Sequence, residues 1–198
     1  MTTLTILPDG LDYMNNFINE QEELDLAKFI DLQSWNTALK RRTQHYGHLY
    51  RFAGESADTT SGIYKYVNST SDQKQTVPPV PEIFLELYKR ITLARKITPI
   101  DLSKLQVIVN EYLPGSGISP HIDDNHQFGS WVCGISLLSN CEMTFSRGHD
   151  IDILLERRSL YIMTEESRYK YTHCIKPRKS DKGIPRNRRI SITFRYVV

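Results

Sequence analysis

Residues 189–195 read Arg-Ile-Ser-Ile-Thr-Phe-Arg, a strict alternation of polar and apolar side chains near the end of a 198-residue chain. Because successive side chains of an extended strand point to opposite faces, the pattern predicts a β-strand with one polar face. An outer strand with that face in water has the same pattern. Two arginines and two hydroxyls can also line a pocket for a carboxylate, which a guanidinium binds bidentately. The polar face carries Arg189, Ser191, Thr193 and Arg195.

Six further segments before this strand have the short, apolar or alternating character of strands. The longest is Leu105–Tyr112, which ends at the turn-forming pair Pro114-Gly115. Short strands separated by turn signals predict a β-sandwich or a barrel. The other candidates are residues 130–138, 142–146, 151–155, 160–164 and 169–175.

The first part of the chain has a helical character. Apolar residues around Leu24–Leu32 recur with helical spacing, and a second helix is predicted over about residues 82–96. The apolar face of the second helix is expected to pack on a sheet. Between the helices, residues 40–76 are polar and aromatic and predict short strands and loops.

The composition is that of a globular protein, with 39% hydrophobic and 24% charged residues. No run approaches the ~20 apolar residues of a membrane helix, and the N-terminus lacks the features of a secretory signal. Three cysteines cannot all pair and none forms a CxxC motif, which favours a reducing compartment. We therefore expect an intracellular monomer, cytoplasmic or nuclear, with no membrane partner.

The triplet His121-Ile122-Asp123 follows a glycine-rich turn and carries the central chemical signal. In an extended segment, residues i and i+2 point the same way, so an imidazole and a carboxylate project together. His173 is the best candidate for a third ligand. Two histidines and one carboxylate leave three metal positions open, the arrangement of non-haem Fe(II) oxygenases. Asn110 and Tyr112, on one face of a predicted strand, add polar groups that can orient a ligand.

In their order along the chain, these motifs resemble the core of AlkB-type Fe(II)/2-oxoglutarate dioxygenases. The resemblance covers roughly residues 105–198, with looser similarity at Arg41–Gly47. It rests on Val109-Asn110-Glu111-Tyr112, Gly115, Ile118, His121-Ile122-Asp123, Ser136-Leu137, Leu160–Met163, Arg168, His173 and Arg189-x-Ser-x-Thr-Phe-Arg195.

The resemblance implies a mainly β fold with flanking helices and a double-stranded β-helix (jelly-roll) core. Residues 105–198 would be this catalytic core, and residues 1–104 an N-terminal extension of helices and substrate-recognition loops packed on it, in one structural domain. It implies Fe(II), 2-oxoglutarate and O₂ as cofactor and cosubstrates, with Arg189 on the distal carboxylate of 2-oxoglutarate. The implied metal ligands are His121, Asp123 and His173, and the implied 2-oxoglutarate contacts are Asn110, Tyr112, Arg189, Ser191, Thr193 and Arg195.

Two basic segments indicate the substrate of such an enzyme. Residues 157–198 contain 12 Lys and Arg against 3 acidic residues, although the net charge of the whole chain is only +2. A polyanionic partner or a solvated basic surface explains this asymmetry. Cations and aromatic residues also interleave over residues 41–48, as in surfaces that bind phosphates and stack a base. The predicted substrate contacts are Arg41, Arg42, Gln44, His45, Tyr46, Lys176, Arg178 and Lys179.

The resemblance is strongest to members that act on RNA, including the tRNA wobble-uridine hydroxylase branch. The predicted activity is oxidative demethylation or hydroxylation of a modified nucleic-acid base, with RNA favoured over DNA. Three alternatives remain at this stage. The first is a related oxygenase that acts on a protein side chain, and the second is an inactive nucleic-acid-binding member of the fold. The third, a cupin-like metal protein, leaves Arg189 and Arg195 without a role.

Overall fold

Alternation of polar and apolar residues along the second half of the chain produces most strands of two antiparallel sheets that face each other. The computed structural model describes residues 7–38, 41–48, 65–68, 71–95 and 97–198. In this part of the chain the strands are β1 (Leu11–Met14), β2 (Thr43–Tyr46), β3 (Lys65–Asn68), β4 (Ser71–Thr76), β5 (Leu105–Tyr112), β6 (Ile118–His121), β7 (Val132–Leu137), β8 (Cys141–Ser146), β9 (Asp150–Leu155), β10 (Leu160–Met163), β11 (Thr172–Ile175), β12 (Ser180–Asp181), β13 (Ile184–Pro185) and β14 (Arg189–Tyr196).

The larger sheet has the order β1-β10-β7-β14-β5-β2 and the smaller has the order β6-β11-β8-β9. All pairings in both sheets are antiparallel, and most join strands that are far apart in sequence. Two short hairpins, β3-β4 and β12-β13, stand outside these sheets. The predicted mainly β class is confirmed.

Three α-helices accompany the sheets in the described residues: α1 (Glu20–Asp31), α2 (Glu82–Arg95) and α3 (Glu165–Tyr169). A capping box at Asn19 begins α1, since its side chain accepts from the amide of Glu22 and the Glu22 carboxylate accepts from the amide of Asn19. Helices α1 and α2 pack on one face of the larger sheet, as predicted for α2. This core includes Leu26, Ile30, Phe84, Leu87, Ile91, Val107, Val109, Ile190, Ile192 and Phe194.

The apolar stripe of α1 differs from the expected one. Leu24 and Leu32 are exposed, whereas Glu23, Leu26 and Ile30 are buried. Residues three to four positions apart share a helix face, so a stripe through residues 23, 26, 27 and 30 leaves Leu24 and Leu32 on the flanks.

Strand β14 lies between β5 and β7 in the middle of the larger sheet. Its apolar residues contact the helices, and Arg189, Ser191 and Arg195 on its other face are also buried. The interpretation as an outer strand with its polar face in water is therefore wrong. A second apolar core fills part of the space between the sheets and joins residues such as Tyr112 and Tyr161 to Met143 and Phe145.

The segment predicted as a strand over residues 169–175 is shorter, because residues 165–169 form α3 and only Thr172–Ile175 pair in the sheet. Strands β1 and β2, both from residues 1–104, form the two edges of the larger sheet. Residues 49–64, which fall in the region predicted as strands and loops, lie outside the described residues. Among the described helices, none has the length and apolar character needed to cross a bilayer.

Candidate metal centre and cosubstrate pocket

Three side chains with metal-binding atoms meet between the two sheets. His121 at the end of β6 and His173 in β11 are directly paired across the strands, and Asp123 follows β6 by two residues. One ligand atom from each residue lies within 4.8 Å of the others. Pairing of β6 with β11 therefore brings the three predicted metal ligands together, although Asp123 and His173 are 50 residues apart in sequence.

Each histidine presents a ring nitrogen that can bind a metal. The Nδ1–H of His121 donates to the main-chain oxygen of Ser119 at 2.8 Å, which leaves the Nε2 lone pair for a metal. Burial lowers the pKa of His173 to about 4, so that ring is neutral at pH 7. Metal binding to His173 therefore requires no loss of a proton near neutral pH.

Asp123 is held in its ionised form by Arg195. Burial alone raises the pKa of Asp123, but the charges of Arg195 and the neighbouring polar groups outweigh it and keep that pKa below its usual range. The Arg195 guanidinium donates to Asp123 Oδ1 and to Gln106 Oε1 and lies 3.8 Å from the centre of the Phe128 ring. The sequence predicted Arg195 as a 2-oxoglutarate contact, and the structure places it against the carboxylate of Asp123, a predicted metal ligand.

Arg189 is the side chain of the cavity best suited to bind an anion. Its side chain is only 2% exposed, and its Nε donates to Ser136 Oγ at 2.8 Å. Both terminal nitrogens are buried and have no hydrogen-bond partner among the described residues. A buried guanidinium with unpaired N–H groups is costly unless an anion binds it. The side chain therefore fits one carboxylate of a bound ligand.

One cavity of about 950 Å³ is lined by Arg189, by the three predicted metal ligands and by the polar face of β14. Ser191 and Thr193 line it, as do Asn110 and Tyr112 of β5. The Tyr112 ring lies 5.3 Å from the Arg189 guanidinium and 5.7 Å from that of Arg41. All six predicted 2-oxoglutarate contacts thus lie along this cavity, which is large enough for that molecule and a second ligand.

Strand β2 presents alternate residues to the cavity. Arg41 donates to Asn110 Oδ1, and the His45 ring lies 3.1 Å from Thr43 Oγ1 on the same side. Burial, followed by the charges of Arg195 and Arg41, lowers the pKa of His45 to about 4. His45 is therefore neutral, and its buried Nδ1 has no hydrogen-bond partner among the described residues.

Three other predicted substrate contacts on this segment have their side chains engaged elsewhere. Arg42 pairs with Glu111 and lies 4.4 Å over the Trp35 ring. Gln44 donates to the main-chain oxygen of Ile30 at 2.8 Å. Tyr46 donates to Gln44 Oε1 and packs against Phe84 of α2. The alternation of β2 thus directs Gln44 and Tyr46 to the helix layer, although both residues also border the cavity.

The basic segment after β11 is folded onto the outer face of the smaller sheet. Lys176 pairs with Asp150 at 3.1 Å, and Arg178 pairs with Glu142 at 3.1 Å and Asp181 at 2.8 Å. These ion pairs compensate much of the local positive charge. Lys179, the third predicted contact, is exposed.

Several residues of the site were not predicted from their own chemistry. Ser136 of β7 orients Arg189, and Tyr161 of β10 forms part of the cavity wall. Arg168 of α3 is 1% exposed and bonds to the main chain beside Asp123. Ser136, Tyr161 and Arg168 fell within the motifs that carried the family resemblance, but no local pattern indicated their contacts.

Comparison with known proteins agrees with this geometry. The family model described as the 2OG-Fe(II) oxygenase superfamily matches residues 10–195. An uncharacterized protein, L905, of Acanthamoeba polyphaga mimivirus is 31% identical over 96% of this chain and 86% of its own length. The Xenopus tropicalis protein named tRNA (carboxymethyluridine(34)-5-O)-methyltransferase alkbh8 is 31% identical over 88% of this chain, which spans about a quarter (26%) of it.

The solved structure of OsALKBH1 superposes with a TM-score of 0.67 at 19% identity, over 96% of this chain and 99% of the other. That likeness confirms the predicted double-stranded β-helix (jelly-roll) core with flanking helices. A family match over nearly the whole chain and a His-Asp-His cluster at the expected place support one assignment. The chain belongs to the 2OG-Fe(II) oxygenase superfamily as an AlkB-like dioxygenase, an oxidoreductase that uses Fe(II), 2-oxoglutarate and O₂.

Proposed function

We propose that this dioxygenase oxidises a modified base in nucleic acid, with RNA as the favoured substrate, by hydroxylation or by removal of an N-methyl group. The proposal is supported above all by one cavity that joins the His-Asp-His cluster, the terminal nitrogens of Arg189 and the edge strand β2. The first two features account for the metal and the cosubstrate. The space along β2 is left for a substrate.

His121, Asp123 and His173 would hold Fe(II) through two neutral imidazoles and one carboxylate, the donor set that leaves open positions for cosubstrate and O₂. When bound, Fe(II) supplies O₂ activation coupled to oxidative decarboxylation of 2-oxoglutarate and hydroxylation of a substrate C–H bond. Arg195 keeps Asp123 ionised and fixes the direction of its carboxylate. Asp123 is therefore ready to bind without reorganisation of its partners.

Arg189 would bind the distal carboxylate of 2-oxoglutarate with its two terminal nitrogens, while Ser136 keeps the guanidinium plane in place. Hydroxyls of Ser191 and Thr193 add hydrogen bonds along the same face of β14. The buried rings of Tyr112 and Tyr161 exclude water from this part of the cavity, which strengthens the ionic contact. Asn110 lies between this pocket and Arg41.

The substrate region is lined by groups suited to a base and its backbone. The neutral His45 ring offers an unpartnered nitrogen for the edge of a base, and Arg41 offers a cation for a nearby phosphate. The name of the Xenopus tropicalis relative refers to tRNA, which supports RNA as the substrate. Lys179 extends the cationic surface outside the cavity. A monomeric state and a cytoplasmic or nuclear location stay predictions.

A nucleoside mass-spectrometry screen tests the proposal. Total tRNA, mRNA and DNA are incubated with the protein, Fe(II), 2-oxoglutarate and O₂, and then digested to nucleosides. His121→Ala removes a proposed ligand, and His126→Ala, at an exposed position five residues away, is the matched control. We expect the wild type and H126A to change the same nucleoside and H121A to change none. Cosubstrate consumption stimulated by peptides, with every nucleoside unchanged, would favour a protein substrate instead.

A further inference from the structure

The connection between β6 and β7 carries Asp123 outside any strand, so no β-ladder fixes that residue. Its carboxylate contacts Arg195, but the direction of the side chain also depends on where the main chain lies. A small shift of this main chain moves the carboxylate relative to the two histidines. The main-chain contacts of the connection therefore bear directly on the proposed metal centre.

Arg168 makes those contacts. Its side chain projects from α3, is 1% exposed, and donates five hydrogen bonds to the connection. The acceptors are the main-chain oxygens of Asp123 (2.8 Å), Asp124 (3.3 Å), Phe128 (3.1 Å) and Gly129 (3.2 Å), and Oδ1 of Asn125 (2.9 Å).

These five acceptors are neutral oxygens placed around one planar group. They extend from Asp123 to Gly129, so the guanidinium holds both ends of the connection at once. Arginine has three nitrogens and five N–H donors in a fixed fork, whereas lysine has a single nitrogen with three donors. Lysine at position 168 keeps the positive charge but cannot reach the same set of acceptors.

We propose that Arg168 is a positioning residue for the metal centre, fixing the main chain at Asp123 relative to His173. Helix α3 leads into β11, and Arg168 precedes His173 by five residues, so the guanidinium links the two segments that carry these ligands. This inference rests on the proposed function, because it takes His121, Asp123 and His173 as the metal ligands. The role proposed for Arg168 is geometric and involves no contact with substrate.

Arg168→Lys tests the proposal, with Arg186→Lys as its matched control. Arg186 is also buried, and its guanidinium bonds to Asp181 and to the main-chain oxygen of Lys176, away from the ligands. Co²⁺ alone is titrated into each metal-free protein and followed by calorimetry and by its visible absorption. The thermal midpoint of each metal-free protein reports on folding separately.

We expect both variants to melt below the wild type, while only R168K binds Co²⁺ about 10 to 100 times more weakly and shows an altered Co²⁺ spectrum. Arg168→Gln, which keeps a planar donor group, is measured in parallel. If only one of the two position-168 variants folds, its Co²⁺ affinity and spectrum still test the proposal. Wild-type affinity and spectrum in a folded position-168 variant would overturn the proposal, as would an equal loss of affinity in R186K. Absence of Co²⁺ binding by the wild type would overturn the metal centre itself, and this inference with it.

Discussion

Replacement of Arg189 by methionine separates ligand binding from stability. The side chain is buried, its Nε has one partner, and its two terminal nitrogens have none among the described residues. Methionine has a similar length and no charge. If the terminal nitrogens bind a carboxylate of 2-oxoglutarate, R189M loses two charge-assisted hydrogen bonds, each worth about 1.5–2 kcal/mol. The expected loss of about 3–4 kcal/mol corresponds to a 10²- to 10³-fold higher Kd for 2-oxoglutarate.

The ligand-free stability of R189M should behave differently. Removal of a buried and partly unpaired guanidinium relieves a desolvation cost, while Ser136 loses one hydrogen bond worth about 1 kcal/mol. We expect the free energy of unfolding to stay within about 1 kcal/mol of the wild type or to rise. Arg186→Met is the control, because it leaves Asp181 without its closest partner and should destabilise the fold by roughly 3 kcal/mol with no change in 2-oxoglutarate affinity.

Calorimetric titration of 2-oxoglutarate into the Mn²⁺-loaded proteins measures the affinity, and urea unfolding of the metal-free proteins measures the stability. Bound 2-oxoglutarate should also raise the thermal midpoint of the wild type and leave that of R189M unchanged. A Kd for R189M within threefold of the wild-type value would place the carboxylate site elsewhere. A large loss of ligand-free stability would show that the guanidinium has stabilising partners in the free protein.

Three more outcomes are expected. Burial alone raises the pKa of Asp181, but its two arginine partners hold that pKa at about 2, against 3.8 in the unfolded chain. Asp181 therefore contributes about 2 kcal/mol to the free energy of unfolding above pH 5, and this contribution is lost as the pH falls towards 2. Urea unfolding at pH 5 and pH 2.5 should show this loss in the wild type and not in D181N. Gly134→Ala places a Cβ 2.3 Å from the Tyr161 ring. It should lower the free energy of unfolding by about 1–3 kcal/mol and weaken 2-oxoglutarate binding. An unchanged free energy of unfolding and an unchanged Kd would mean that the ring moves freely. Lys179→Gln should reduce the slope of log K against log salt concentration for RNA binding by about one ion. Lys176→Gln removes a lysine that is already paired with Asp150 and should leave this slope unchanged. Equal slopes for the wild type and K179Q would show that Lys179 does not contact RNA.

The local patterns of the chain specify much of the larger sheet. Strict alternation over residues 189–195 predicts which side chains share a face, and the apolar run Leu105–Tyr112 predicts the neighbouring strand. The spacing of His121 and Asp123 also places their side chains together. These inferences succeed because a strand repeats every two residues, which is a property of the local backbone.

The same periodicity does not reveal which face of a strand is covered. Residues 41–48 were predicted only as a segment of interleaved cations and aromatic residues in a region of short strands and loops, and the position of β2 beside β5 directs Arg41 and His45 to the cavity and Gln44 and Tyr46 to the helices. The contacts of the basic segment after β11 were also not evident from the sequence. Its charges are evident in the sequence, and only folding brings Lys176 and Arg178 onto the acids of β8 and β9.

The sequence by itself thus determined most strands of the two main sheets, the faces on which their polar side chains lie, and the family through its ordered motifs, but it gave no sign of β1, β12 or β13. The tertiary structure alone decided that His173 pairs with His121, that Arg195 contacts Asp123, and that Arg168 holds the connection beside it. The physical reason is range: side-chain direction follows from a few neighbouring residues, whereas these contacts join segments about 45 to 70 residues apart and depend on the register and packing of the whole sheet.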